Sequence, residues 1–150
     1  MNTSLSNQIN LREITPGNWR EISKLQVHEN QKEWVAEPTY YLCLCNYGKL
    51  WNPKAIYLED TIVGFLMWAF DESDNSYWIG GITIDKNHQK KGYGRTAIIE
   101  IIEELKNTKN ATCFALSFAP DNPASKLYKS IGFVENGEYE DDEIVARLKS

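Results

Sequence analysis

Apolar and polar residues alternate over residues 9–14 (INLREI), the period of a half-buried strand. Thr15 and Pro16 follow as a capping hydroxyl and a residue suited to the first helical turn. A first helix is therefore expected through Trp19, Ile22, Leu25 and Gln26 to about Val27. A second helical region is expected from Gln31, interrupted at Pro38 and resuming through Tyr41, Leu42 and Cys45 to Gly48. Residues 54–59 and 62–70 read as strands of a hairpin joined at Glu59, Asp60 and Thr61. Residues 71–76 make the next turn and 77–85 another strand. Ala97, Ile98, Ile101, Ile102 and Leu105 then recur with the spacing of an amphipathic helix. A strand at 112–118, a helix at 123–130, and strands at 132–135 and 144–148 complete the order β-α-α-β-β-β-α-β-α-β-β. That order predicts an α/β mixed sheet.

Between the strand at 77–85 and the following helix runs Gln89-Lys90-Lys91-Gly92-Tyr93-Gly94-Arg95-Thr96. Unpaired N–H groups at a helix start point outward, where the helix dipole favours anions. Gly92 and Gly94 remove side chains that would keep phosphate oxygens from the main chain, and Lys90, Lys91 and Arg95 add positive charge. The stretch reads as a pyrophosphate cradle, although a structural tight turn has the same pattern. Neither G-x-x-x-x-G-K-[ST] nor G-x-G-x-x-G is present, so a nucleoside-triphosphate or dinucleotide loop is not expected. A second stretch, residues 121–133 (DNPASKLYKSIGF), follows an apolar strand. Asn122 stands at its strand-to-helix junction, where an amide caps the helix or reaches a ligand. Tyr128 falls within the helix, where a phenol serves either a core or a site.

Together these residues resemble the GNAT superfamily of N-acetyltransferases. Gln89, Gly92 and Gly94 match the family's acetyl-CoA loop; Asn122, Ala124, Leu127, Tyr128, Gly132 and Phe133 match its later segment. The resemblance implies the acyl-CoA N-acyltransferase fold, with the fourth and fifth strands splayed at their C-terminal ends. It also implies acetyl-CoA as cosubstrate. The pantetheine arm would pair with the main chain of Ile82, Thr83 and Ile84. The pyrophosphate would rest on the stretch from Gln89 through Lys90, Lys91, Gly92, Tyr93, Gly94 and Arg95 to Thr96, with Asn122 and Lys126 as further contacts. Tyr128 would protonate the departing CoA thiolate. Many relatives carry a general base on the fourth strand where this chain has Gly80-Gly81, so the base is unassigned. The twin glycines suggest a bulge or space for substrate.

Residues 18–19, 31–36, 53–57, 63–65 and 84–94 are similar to the Bacillus-type spermine/spermidine acetyltransferases. A polyamine is accordingly the expected small-molecule amine. Such a substrate needs spaced carboxylates and aromatic walls. Glu29, Glu33 and Glu37 recur every four residues, as on one helix face, although a solvated charged face has the same spacing. The expected acceptor contacts are Glu33, Trp34, Glu37, Tyr41 and, from the acidic run at 138–143, Glu143. Two other readings stay open. One is another amine, on an antibiotic or a protein N-terminus; the other is a non-catalytic acetyl-CoA-binding regulatory module. A homodimer is expected only because many relatives are dimers.

Composition narrows the classes. A chain of 150 residues with 42% hydrophobic content suits a single domain over 1–150 with one core. Its 16 basic and 21 acidic residues, net −5, argue against a nucleic-acid partner and agree with a cationic substrate. Cys43, Cys45 and Cys113 form no framework spacing, so buried free thiols are expected and a metal site is not. Residues 1–10 are polar and show no secretory pattern, and the longest apolar run, 62–70, is too short for a membrane span. No membrane association and a cytoplasmic setting are the expectation.

Overall fold

Hydrophobic alternation on one side and helical spacing on the other build a sheet covered on both faces. The computed structural model describes residues 8–150, and the first seven positions of the polar N-terminal stretch lie outside the described residues. The elements are β1 (Ile9–Arg12), α1 (Trp19–Ser23), α2 (Pro38–Gly48), β2 (Asn52–Leu58), β3 (Thr61–Asp71) and β4 (Ser76–Ile84), then α3 (Tyr93–Lys109), β5 (Cys113–Phe118), α4 (Ser125–Ile131), β6 (Val134–Glu140) and β7 (Glu143–Lys149). This is the order expected from the sequence. Among the described residues the strands form one seven-stranded sheet, β1-β2-β3-β4-β5-β7-β6, in which only β4 and β5 run parallel.

The expected single core is divided by the sheet into two layers. Ala97, Ile98, Ile101, Ile102 and Leu105 of α3 are at most 5% exposed and pack with Ile56, Leu66, Phe114 and Leu116 on one face. Each of the Ile, Leu and Phe side chains among them contributes ~1.5–3 kcal/mol when removed from water. On the other face, Ile22 of α1, Leu25 just beyond it and Cys45 of α2 are buried with Ala55, Phe65 and Met67. Phe65, Leu66 and Met67 of β3 therefore serve alternate layers, as a strand's period of two requires.

The relation between β4 and β5 positions the site. They pair only through Tyr77 with Phe114 and Trp78 with Ala115, after which the two strands part. On its other side β4 carries one more residue than β3 between the pairs Phe65–Thr83 and Met67–Gly80. This is a bulge. Gly81 sits in it at φ +59°, where a Cβ would also come within 3.2 Å of the Met67 side chain. Glycine adopts that conformation without the steric cost of other residues, and the bulge bends β4 away from β5.

Several local expectations are corrected. α1 begins at Trp19 and ends at Ser23, because the Asn18 side chain accepts the Thr15 amide at 2.8 Å and holds residues 15–18 in a turn. Beyond it, Gln26 N–H donates to Asp85 Oδ1 at 3.0 Å and Gln26 O accepts the Lys86 amide, which draws the chain out of helix. No helix carries Glu29, Glu33 and Glu37 on one face: only a 3-10 turn, Glu29–Gln31, forms there, and Pro38 opens α2 rather than interrupting it. Cys43 is exposed whereas Cys45 is buried, because positions two apart on a helix lie about 200° apart.

Candidate active site

The cradle is a run of main-chain donors. Lys90 and Gly92 both adopt positive φ, at 64° and 86°, and Gly92 caps α3. Among the described residues, no protein acceptor takes the amides of residues 90–95; the first bonded amide is Thr96 N, on Gly92 O at 3.1 Å. Lys90 and Arg95 border this run and line the cleft. Tyr93 is buried at 4% exposure, so its ring belongs to the core and only its main chain faces the loop. The Thr96 hydroxyl donates to Gly92 O at 3.0 Å and closes the cap. Lys91 is exposed and does not line the cleft. The Gln89 side chain is engaged within the protein: its Nε2 donates to Ile84 O and to Gln31 Oε1, both at 2.9 Å.

From the cradle a cleft of about 690 Å³ runs between the parted ends of β4 and β5. Asp85 N donates to Val63 O at 2.8 Å. By strand alternation the main chain of Thr83 also faces β3, while that of Ile84 and Ile82 faces the gap. Thr83 thus departs from its expected role: it is 2% exposed and its hydroxyl donates to Gly81 O at 3.1 Å, bracing the bulge. Asn122 lines the cleft, and its Oδ1 accepts the Ala124 amide at 2.9 Å, which shapes the entry to α4. Lys126 is exposed and lies outside the lining.

Tyr128, on α4, stacks obliquely on Phe118 at a centroid distance of 5.5 Å. Burial, with added repulsion from Glu143 and Tyr41, pushes its pKa up to about 12. A phenol so placed stays protonated at neutral pH and is a proton donor. Tyr41 is also shifted upward by burial, an effect opposed by the Ala36 amide donating to its hydroxyl and reinforced by Glu143. Glu143 therefore shares the cleft with both phenols. Its Oε1 accepts the Ser117 hydroxyl at 2.8 Å, and Ser117 lies opposite Val145 in the β5–β7 ladder.

Part of the cleft lining is aromatic and acidic. Trp34, Tyr41, Trp51 and Trp78 form it together with Glu140 and Glu143. Trp34 Nε1 donates to Asp121 Oδ1 at 3.3 Å. Glu33 is exposed and outside the cleft, and Glu37 borders a separate pocket of about 250 Å³ with Lys32 and Pro38. Both depart from expectation because the segment carrying them is not helical. Trp51, Trp78 and Ser117 are not among the expected site residues, and Glu140 is marked only as part of the acidic run at 138–143. Ser117 leaves a local signal of its own, a hydroxyl inside the apolar run Phe114-Ala115-Leu116-Ser117-Phe118.

Residues 19–133 match the Acetyltransferase (GNAT) family. A spermine/spermidine N(1)-acetyltransferase of Bacillus subtilis is 30% identical over 142 residues, spanning 87% of this chain and 90% of that protein. Among solved structures, spermidine N-acetyltransferase from Vibrio cholerae in complex with CoA and spermine aligns with a TM-score of 0.74 at 23% identity, over 94% of each chain. An aminoglycoside acetyltransferase in complex with coenzyme A reaches a TM-score of 0.78 at 16% identity, also over 94% of each chain. At such identities these two structures speak for the fold alone.

Proposed function

Because this chain belongs to the GNAT family of acetyltransferases, with acetyl-CoA as cosubstrate, we propose that its cleft acetylates a primary amine of a polyamine such as spermidine or spermine. The unpartnered amides of residues 90–95 fit a diphosphate, and the gap-facing main chain of Ile82 and Ile84 fits the amide-bearing arm. Acetyl-CoA supplies an activated acyl group on sulfur. The amine nitrogen attacks it directly.

Protein groups handle the protons. An alkylammonium resembles lysine, with a pKa of about 10.4, and must lose a proton before attack. Glu143 receives that proton, directly or through water, and the Ser117 hydroxyl orients its carboxylate. The new N–C bond forms as the C–S bond breaks, and the Tyr128 hydroxyl gives its proton to the leaving sulfur. The acylated nitrogen sheds its second proton, which passes through water to the Tyr128 phenolate, and Glu143 returns its proton to solvent. The observation that carries this reading is the meeting of Glu143, Tyr41 and Tyr128 in one cleft, each phenol's pKa raised in part by that carboxylate.

Polyamine as acceptor rests on the lining. Tyr41, Trp34, Trp51 and Trp78 offer faces to methylenes and ammonium groups, and Glu140 and Glu143 offer charge. A cytoplasmic setting suits both proposed substrates. The test compares spermidine, a simple monoamine and an aminoglycoside in a thiol-release assay, with mass spectrometry scoring the gain of one acetyl group. Spermidine is expected to react fastest. Equal rates for all three would discard the polyamine reading, and coenzyme A binding without turnover of any amine would leave a binding module.

A further inference from the structure

Residues 26–36 cross the mouth of the cleft and are tied to both of its lips. On the β4 side, Gln26 is held by Asp85 and Lys86, and Gln31 forms a reciprocal amide pair with Gln89: Gln31 Nε2 donates to Gln89 Oε1 at 3.0 Å, and Gln89 Nε2 donates back at 2.9 Å. On the β5 side, Trp34 reaches Asp121 at 3.3 Å. Gln31 and Trp34 are three residues apart, yet their partners lie on opposite sides of the gap.

Gln89 is the hinge of this arrangement. The same Nε2 that meets Gln31 also meets Ile84 O, the last carbonyl of β4, and the next residues are the unpartnered amides of the cradle. Lys90 is held at positive φ immediately after it. A diphosphate bound by those amides would fix the loop that begins at Gln89, and with it the side chain that pairs with Gln31. Coupling between two sites requires only an element that both ligands bias.

We propose that Gln31 is a positioning residue that transmits seating of coenzyme A on the loop to the acceptor end, by holding the 26–36 strap and its Trp34 across the cleft. This rests on the cofactor reading given above. It ties the Trp34 part of that aromatic wall to cofactor binding.

Hydrogen–deuterium exchange read by mass spectrometry, with and without coenzyme A, tests it on the whole protein. In the unsubstituted chain, coenzyme A is expected to slow exchange in both the loop at 89–96 and the strap at 26–36, the latter about 5- to 10-fold. In Gln31→Ala the loop remains protected and the strap protection is lost. Trp34→Phe, which keeps the ring and removes the donor to Asp121, loses strap protection in part. Because coupling is reciprocal, calorimetry should find coenzyme A bound about 5- to 10-fold more weakly by Gln31→Ala, still saturable for the exchange experiment, with an unchanged melting temperature showing an intact fold. Equal strap protection in Gln31→Ala, or a strap unaffected by coenzyme A in the unsubstituted chain, would overturn the proposal. Absence of protection at both segments, with no heat of binding, would overturn the cofactor reading as well.

Discussion

The Ser117 hydroxyl donates to Glu143 Oε1 at 2.8 Å across the paired strands β5 and β7, and this bond aims the carboxylate along the cleft wall that Tyr128 shares. If Glu143 is the proton acceptor, Glu143→Gln keeps the shape and removes the basicity. Its kcat is expected to fall about 10²- to 10⁴-fold, with coenzyme A affinity unchanged by calorimetry. Ser117→Ala should cost far less, since it loosens the carboxylate without removing it. Full activity in Glu143→Gln would exclude Glu143 as the base.

Tyr128→Phe removes the proton donor but preserves the ring on Phe118. A fall of at least 10²-fold in kcat is expected, with the amine KM little changed. The unsubstituted enzyme should hold its activity above the ordinary phenol range, because burial carries this pKa to about 12. The same shift bears on stability. Its contribution is complete below the unfolded phenol value of about 10 and is lost progressively as pH rises from there towards 12. A pH–rate profile and alkaline melts check both.

Gly81→Ala places a Cβ at φ +59° and within 3.2 Å of the Met67 side chain. A destabilisation of about 1–2 kcal/mol is expected from the backbone alone. Because the bulge sets the direction of Ile82 and Ile84, coenzyme A affinity should weaken as well. Gly80→Ala meets the Trp51 ring at 3.3 Å, in an ordinary strand conformation, and is expected to disturb the amine KM more than cofactor binding. Denaturant melts and calorimetry separate the two.

Arg147 on β7 reaches over β5 to the start of β4, bonding Asp74 Oδ2 at 3.0 Å and Ser76 Oγ at 3.0 Å while its Nε holds Glu138 at 2.7 Å. It secures the end where β4 and β5 still pair. Arg147→Met is expected to cost about 1–2 kcal/mol, a modest figure because Glu138 is open to solvent. Hydrogen bonding from Arg147 holds Glu138 below its usual pKa. The contribution of that bridge is therefore present above the unfolded carboxylate value and lost as pH falls through the depressed one. The gap in melting temperature between the two proteins should narrow from pH 7 towards pH 3.

Element order and the cradle were legible in the chain alone because both are local. Periodicity states which way a side chain faces relative to its own backbone, and the glycines at 92 and 94 mark where the main chain lies bare. Gln89 and Asn122 were visible as residues of the site, yet their internal bonds were not. Glu29, Glu33 and Glu37 misled for the complementary reason: their spacing implied a helix that the tie between Gln26 and Asp85 prevents. Only the tertiary structure decided that Glu143 stands beside Tyr128, that Trp51 covers Gly80, and that a bulge at Gly81 accompanies the parting of β4 from β5 which the family resemblance implied. Each is a relation between segments far apart along the chain, set by strand register, by one extra residue in a bulge and by the packing of two layers. No local pattern encodes which distant side chain will arrive opposite.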